Sequence, residues 1–406
     1  MLSISEALQH MLGQLSLRMT DEQIPLSAAV DRILAADVIS ELDIPAYNNS
    51  AMDGYGLVVN EVETKTRLHT FEVIGEALAG HPFQGKIKRG QAIRIMTGAA
   101  VPEEVNAVVP IEDTSLDSHT REMTVLNSFK IGQHIRRRGE ELSQGARVFA
   151  RGHQIRPVDV GLLASLGIAT LNVYKPLTVA LFSTGDELVQ PGQPRRSDQI
   201  FDSNRFVLHA MLERAGFNVL NLGLIPDNEM EIADAFVAAA SRADAIVCSG
   251  GVSVGDADYT KQVIEKMGNV GFWKVAMKPG KPFAFGQVNG SWFFGLPGNP
   301  VSATVTLQQL ALPALYKLAG KLSTPPLLIH AVAGEPLKKR PGRADFQRGV
   351  LKTKDGINQV FSAGPQGSGM LSSICHANCL IRLSNEQGSV QPGEKVTVEI
   401  LQAPYF

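Results

Sequence analysis

Residues 249–261 read SGGVSVGDADYTK, a run in which Gly250, Gly251 and Gly255 free the backbone to turn beside Ser249 and Ser253. A turn of this kind after a strand can aim backbone N–H groups at a phosphate. A nucleotide-binding P-loop would continue with Gly-Lys-Ser/Thr, but Asp256 and Asp258 follow here. Glycines after a strand usually make only a tight turn. Two acids beside a phosphate nest also require a bridging cation, and Mg2+ is commonly held by one or two carboxylates plus substrate phosphate.

Three other segments carry matching chemistry. STGDE (183–187) ends in Asp186 and Glu187, and IPDN (225–228) supplies Asp227. Each acid alone could cap a helix or close a turn, but a cluster of carboxylates needs cations to remain ionised. Lys274, Lys278 and Lys281 stand in WKVAMKPGKPFAFG; loop lysines are normally solvated surface, but the rigid proline-glycine path here suggests side chains aimed at an anion. Pro297-Gly298-Asn299-Pro300 is a stiff turn before a helix, either a further anion site or a matter of shape alone. No Ser-His-Asp or Cys-His nucleophile motif stands out. The residues point to metal-assisted chemistry on a phosphate ester or anhydride of a nucleotide-like ligand.

From about residue 178 the chain alternates apolar runs with amphipathic ones. TVALFSTGDEL, NVLNLGLIPDN, DAIVCSGGVSVGD and SWFFGLPGNP read as strand and loop. DSNRFVLHAMLERAG, EMEIADAFVAAASRA, YTKQVIEKMG and VSATVTLQQLALPAL read as helices. Such units in series predict a parallel sheet covered by helices. Every suspect loop then lies at the carboxyl end of a strand, where open α/β sheets bind ligands. Upstream, residues 1–40 read as helical, with Leu8, Met11, Leu12 and Leu15 at helix spacing and a capping box from Ser3 and Glu6. HTFEVIG, QAIRIMTG, NAVVPIED and EMTVLNSF predict a β-rich unit ending at IRRRGEEL, and VDVGLLASLGIATLNV resumes helix then strand. TPP (324–326) reads as a linker to a terminal barrel or sandwich.

The bulk numbers set limits. A chain of 406 residues with 44% hydrophobic content can build two to four ordinary cores. A formal charge of -2 excludes nucleic-acid binding through bulk charge. The three cysteines, Cys248, Cys375 and Cys379, fit a reducing compartment, and the C-x-x-x-C pair lacks the second pair of a zinc site. No secretory signal and no stretch of ~18 apolar residues is visible, so a cytoplasmic location is expected, without membrane contact.

NSAMDGYG, RIMTGA, RRRGEEL, FSTGDEL, SGGVSVGDADYTK, KPGKPFAFG and GLPGNPVSA, followed by GRADFQRGVL and GPQGSGMLSS, occur in this order over almost the whole chain. In these motifs the sequence resembles the MoeA family of molybdopterin molybdenumtransferases. The resemblance implies the last step of molybdenum cofactor synthesis. Adenylylated molybdopterin is bound, molybdate passes to its dithiolene sulfurs, and the AMP–pterin phosphoanhydride is hydrolysed with Mg2+. The sulfur ligands come from the substrate, so no cysteine cluster is required.

By the same resemblance, Asp186, Glu187, Asp227, Asp256 and Asp258 surround the metal and the nucleotide phosphate, with Glu187, Asp256 and Asp258 as metal ligands. Ser249, Gly250, Gly251, Ser253 and Gly255 form the cradle. Lys274 and Lys278 bind phosphate or molybdate, and Pro297 and Pro300 shape the wall. Asp53 and Thr97 resemble residues that reach the site of the other subunit in a homodimer, and Arg348 and Ser368 a molybdate contact. The family segment ends Gly-Glu-Asp where this chain has Gly139-Glu140-Glu141, so Glu141 would shift any hydrogen bond by about one methylene.

The fold implied is an α/β multidomain chain. A linker domain (1–45 and 141–177), described as helical, flanks a β-rich inserted domain (46–140). A molybdopterin-binding α/β domain (178–325) and a C-terminal β-barrel domain (326–406) follow. Molybdopterin adenylyltransferase and molybdoenzyme maturation factors are the candidate partners. Rival readings are molybdopterin adenylylation or pyridine-nucleotide pyrophosphate hydrolysis on the same α/β fold, and a receptor-organising scaffold.

Overall fold

Runs of apolar residues after residue 178 form a six-stranded sheet whose central strands are buried on both faces, while the edge strands Asn218–Ile225 and Gly268–Lys274 are partly exposed. Ala245–Ser249 and Ser291–Leu296 are buried throughout, the pattern of strands covered by helices on both sides. The computed structural model describes residues 1–17, 20–61, 64, 68–251 and 259–401. Sheet order is Asn218–Ile225, Thr178–Thr184, Ala245–Ser249, Ser291–Leu296, Pro282–Val288, Gly268–Lys274. The first four strands are parallel. The last two join antiparallel, so a parallel-type sheet carries a hairpin at one edge. Asn289 and Gly290, both at positive φ, form the two-residue connection between Val288 and Ser291, the turn chemistry of a tight hairpin.

Two cores cover the faces of this sheet. One packs Leu181, Val247 and Phe294 against Leu208 and Leu212, and takes in Met11 of the first helix. The other stacks Phe236 edge-on between Phe182 (5.3 Å between ring centroids) and Phe293 (5.5 Å), a favoured aromatic geometry. The helix after GLPGNP runs Pro300–Thr306, passes through a π-helical turn at Leu307–Ala311, and resumes at Leu312–Leu318. Pro313, which has no N–H to give the ladder, is the second residue of the resumed helix.

Leu328–Ala333, Ala344–Lys354, Ile357–Ser362, Cys379–Leu383 and Lys395–Ile400 pair in a ring that closes a five-stranded barrel. Val360, Ile381 and Val398 fill it. A sixth, two-residue strand, Met277–Lys278, adds to the barrel strand Ala344–Lys354.

Residues 1–40 are not helical throughout. The capping box forms, with Ser3 and Glu6 hydrogen-bonded reciprocally, and starts the helix Ile4–Gln14. Asp21–Pro25 is then a strand paired antiparallel with Thr170–Tyr174, and Leu26–Ala28 a single 3-10 turn. The local apolar spacing was overridden by a partner strand far along the chain, and Pro25 cannot donate within a helix.

By spatial clustering the chain forms two units. The elements above, with Arg151–Gly161, make up the first. The second comprises Asp37–Ala150 and Leu162–Ile168. Its six-stranded sheet has the order Ala107–Pro110, Gly54–Leu57, Gln91–Ile95, His69–Ala77, Glu122–Val125, Thr114–Asp117, around Tyr55, Leu57, Phe71 and Met123. The strands expected from HTFEVIG, QAIRIMTG, NAVVPIED and EMTVLNSF all lie in this sheet. No helix among the described residues is long and apolar enough to cross a membrane.

Candidate active site

Parallel pairing puts the carboxyl ends of four strands on one rim, and the loops leaving them are tied to one another. The Asp227 N–H donates to Asp186 Oδ1 at 3.2 Å. The Gly250 N–H donates to Leu296 O at 3.2 Å. Gly250 has φ +98°, and a Cβ there would lie 2.7 Å from Thr184 O, so conformation and space both demand glycine. Asn204, first residue of the helix Asn204–Arg214, bridges two loops: its Nδ2 donates to Ser249 Oγ and to Gly298 O, each at 2.7 Å. Beneath it Asp202 accepts from Ser183 Oγ (3.2 Å) and from Arg205 Nε (2.9 Å), all buried. Asp186 and Glu187 are exposed and Asp227 half-buried.

The lysines arrive from the hairpin edge. Lys274 pairs in register with Pro282, and the strand starting at Pro282 runs antiparallel to Ser291–Leu296. The WKVAMKPGKP segment therefore lies at the same end of the sheet as GLPGNP. Lys274 and Lys281 are exposed, whereas Lys278 Nζ donates to Asp345 Oδ2 at 3.1 Å. Gly280, at φ +105°, leaves no room for a Cβ against Thr306 Oγ1, which seats the turn on the Pro300–Thr306 helix. Pro297 is buried and Pro300 half-buried. The Val301 N–H donates to Ser368 O at 3.0 Å, so the barrel loop GPQGSG meets the start of this helix. Arg348 is 1% exposed. Its Nε donates to Ser373 Oγ (3.0 Å), and its Nη2 to Pro365 O (3.2 Å) and Gly367 O (3.1 Å), so these donors hold the loop.

Ser253, Gly255, Asp256 and Asp258 lie outside the described residues. Among those described, no three His, Cys, Asp or Glu side chains are grouped to hold a metal. Cys248 and Cys379 are buried and Cys375 is exposed. Burial pushes the Cys379 thiol up to about 11, so it is protonated at neutral pH. A cavity of about 990 Å³ lies between the first helix, the 307–318 helical segment and the barrel, with Leu8, Tyr316 and Arg382 in its wall, and contains none of the rim acids. The rim is the better candidate because polar groups converge there.

In the second unit, Asp53 and Thr97 are paired. The Thr97 N–H and Oγ1 both donate to Asp53 Oδ1 at 2.7 Å, and the Thr97 side chain, then its backbone N–H, holds the Asp53 carboxyl below the usual range. Glu141 is exposed and its N–H donates to Ile44 O at 3.0 Å. Two residues with a structural claim on the site were not singled out from sequence. Asn204 had a signal, the polar DSN run at a helix start; Asp345 had none, since its partner lies on a distant strand.

Residues 2–167 match the MoeA N-terminal region (domain I and II), 180–317 a probable molybdopterin binding domain, and 330–401 the MoeA C-terminal region (domain IV). The chain is 46% identical over 401 residues to the molybdopterin molybdenumtransferase of Haemophilus influenzae, covering 98% of each. The chain belongs to the MoeA family of molybdopterin molybdenumtransferases. The family enzyme of a Nostoc species is 32% identical over 403 residues, covering 97% of this chain and 92% of its own length. The MoeA fold is shared with the crystal structure of a molybdopterin biosynthesis moeA protein from Pyrococcus horikoshii OT3. The TM-score is 0.84 at 26% identity, over 98% of this chain and 100% of that one.

Proposed function

We propose that this chain inserts molybdenum into molybdopterin, taking adenylylated molybdopterin and molybdate as substrates and releasing AMP. The observation that carries the reading is the rim: acids from two strand ends meet at Asp186 and Asp227, beside a glycine turn, with lysines brought to the same end by the hairpin. Acids and lysines at one edge suit a ligand that is itself anionic and metal-bridged.

The rim donors are hard oxygens, which suit Mg2+ better than a soft metal. Glu187, Asp256 and Asp258 would hold it, and bound Mg2+ would draw charge from the phosphoryl oxygens. Asp186 and Asp227 add to the acid cluster that Mg2+ would bridge to the nucleotide phosphate, and the Gly251 N–H would be offered to that phosphate, the N–H of Gly250 being given to Leu296 O. Lys274 and Lys278 offset the charge of phosphate and of molybdate. In the hydrolysis, water oxygen bonds to phosphorus as the bridging P–O bond breaks. AMP leaves, and the pterin keeps its own phosphate.

Further parts of the proposal come from the family likeness: a homodimer in which Asp53 and Thr97 serve the partner's site, a cytoplasmic location, and four domains bounded at 1–45 with 141–177, 46–140, 178–325 and 326–406. The test follows AMP release from adenylylated molybdopterin with Mg2+, with and without molybdate, in wild type, Asp186→Ala and Asp258→Ala. Release that molybdate stimulates, and that both variants lose by about a hundredfold, is expected. Release indifferent to molybdate, or none from folded protein, would sink the reading and favour adenylylation or a scaffold.

A further inference from the structure

The barrel contributes a charge to the lysine segment. Met277–Lys278 runs parallel to Ala344–Asp345, with Lys278 in register with Asp345. Lys278 Nζ donates to Asp345 Oδ2 at 3.1 Å across that register. The pair has a wet end and a dry end: the Lys278 side chain is 45% exposed and that of Asp345 only 4%. Asp345 Oδ2 also accepts from Gln347 Nε2 at 3.2 Å, and Gln347 is tied in turn to Lys338 O at 2.9 Å. Lys339 adds charge to the same neighbourhood. Its buried ammonium donates to Arg340 O, Asn385 O and Gln387 O, and it is attracted to Asp345.

These contacts fix the carboxylate from behind. A lysine ammonium on a four-carbon stem has no orientation of its own, unlike a planar guanidinium. Asp345 takes one of its three N–H donors and leaves two for another acceptor. Swinging Asp345 out to follow an incoming anion would break its Gln347 bond and strand a buried charge near Lys339, which is costly. Lys278 is therefore held at one position while nearly half of its side chain stays exposed.

We propose that Asp345 is a positioning residue for oxyanion binding: it orients Lys278 toward the substrate's phosphate or molybdate without touching either. This rests on the reading of Lys278 as an oxyanion ligand. The test uses the full chain and five variants: Lys278→Ala, Asp345→Asn, the double variant of these two, Asp345→Glu, and Asp345→Glu combined with Lys278→Ala. AMP release is followed with molybdate varied, and thermal midpoints are recorded alongside. Lys278→Ala should raise the KM for molybdate by about tenfold, the worth of one hydrogen bond to a charge. Asp345→Asn should raise it about threefold with kcat within about twofold, and the double variant should match Lys278→Ala alone.

Multiplicative effects in the double variant would overturn the inference, because Asp345 would then act independently of Lys278. So would a lowered midpoint in Asp345→Asn with KM unchanged, which marks a purely structural role. An unaltered KM in Lys278→Ala would instead remove the ligand role of Lys278, and the inference with it. If Asp345→Asn does not fold, Asp345→Glu keeps the charge but displaces the carboxylate. It should raise KM only when Lys278 is present, and an equal rise in a Lys278→Ala background would reject the assignment.

Discussion

At the strand-end rim Asp186 is exposed, and its Oδ1 accepts a backbone N–H at 3.2 Å. In the barrel wall Glu399 is 3% exposed, and its oxygens accept from Gln308 Nε2 (2.7 Å) and Gln309 Nε2 (2.9 and 3.0 Å), with Arg382 Nη1 at 3.5 Å. The two carboxylates belong to the same compact unit but do different work. Glu399 has its acceptors turned on the protein, clasping the π-helical turn at Leu307–Ala311 to the strand Lys395–Ile400. Asp186 faces solvent with acceptor capacity toward a ligand. Burial with complete pairing makes a carboxylate structural, and exposure beside other ligand groups leaves it available for chemistry.

The sharpest way to break this contrast is Glu399→Ala. It leaves the buried Gln309 amide without its acceptor and Gln308 and Arg382 without their partner, and an unsatisfied buried polar group costs about 1–3 kcal/mol. A large fall in denaturation midpoint is expected, with molybdate-stimulated AMP release retained by the fraction still folded at low temperature. Lost activity at an unchanged midpoint would place Glu399 among the functional acids and erase the distinction.

Asn204→Ala tests the rim side and should have a smaller effect. Asn204 braces Ser249 and Gly298 from a helix start, so its loss removes two hydrogen bonds, about 1–2 kcal/mol of stability, and lets two loops shift independently. A misplacement of that kind should lower kcat by about tenfold, more than the change in midpoint would suggest. Equal kcat in wild type and variant would show that the loops hold their places without the bridge.

How much of this could be read from residues alone depends on whether the determining partner was local. The rim loops were legible because each glycine, acid or proline follows its own apolar run, and the Ser3–Glu6 box because both partners lie within one turn of helix. Asp21–Pro25 was misread as helix because its partner, Thr170–Tyr174, is remote. The antiparallel edge breaks the helix-strand rhythm, and its signal is again local, the Val288-Asn289-Gly290-Ser291 turn. The Lys278–Asp345 pair spans 67 positions and joins a loop lysine to a barrel strand. Nothing in either segment announces the other.

The smallest expected effect probes an exposed acid already engaged by a second loop of its own unit, between the extremes of Asp186 and Glu399. Both donors to Asp53 come from Thr97, and they favour the ionised carboxylate. The sign follows directly. A folded-state pKa below the unfolded one contributes stability above the unfolded pKa, and that contribution disappears as pH falls through the folded value. Thr97→Val removes the hydroxyl donor, the larger cause, and keeps the backbone N–H. The Asp53 titration should therefore move up, part of the way toward the ordinary aspartate value, while Thr97→Ser leaves it in place. Carboxylate-resolved NMR titration in the acid range reads this directly. An unmoved midpoint in the valine variant would mean that the backbone N–H alone holds the charge, and the hydroxyl would then be available to another ligand.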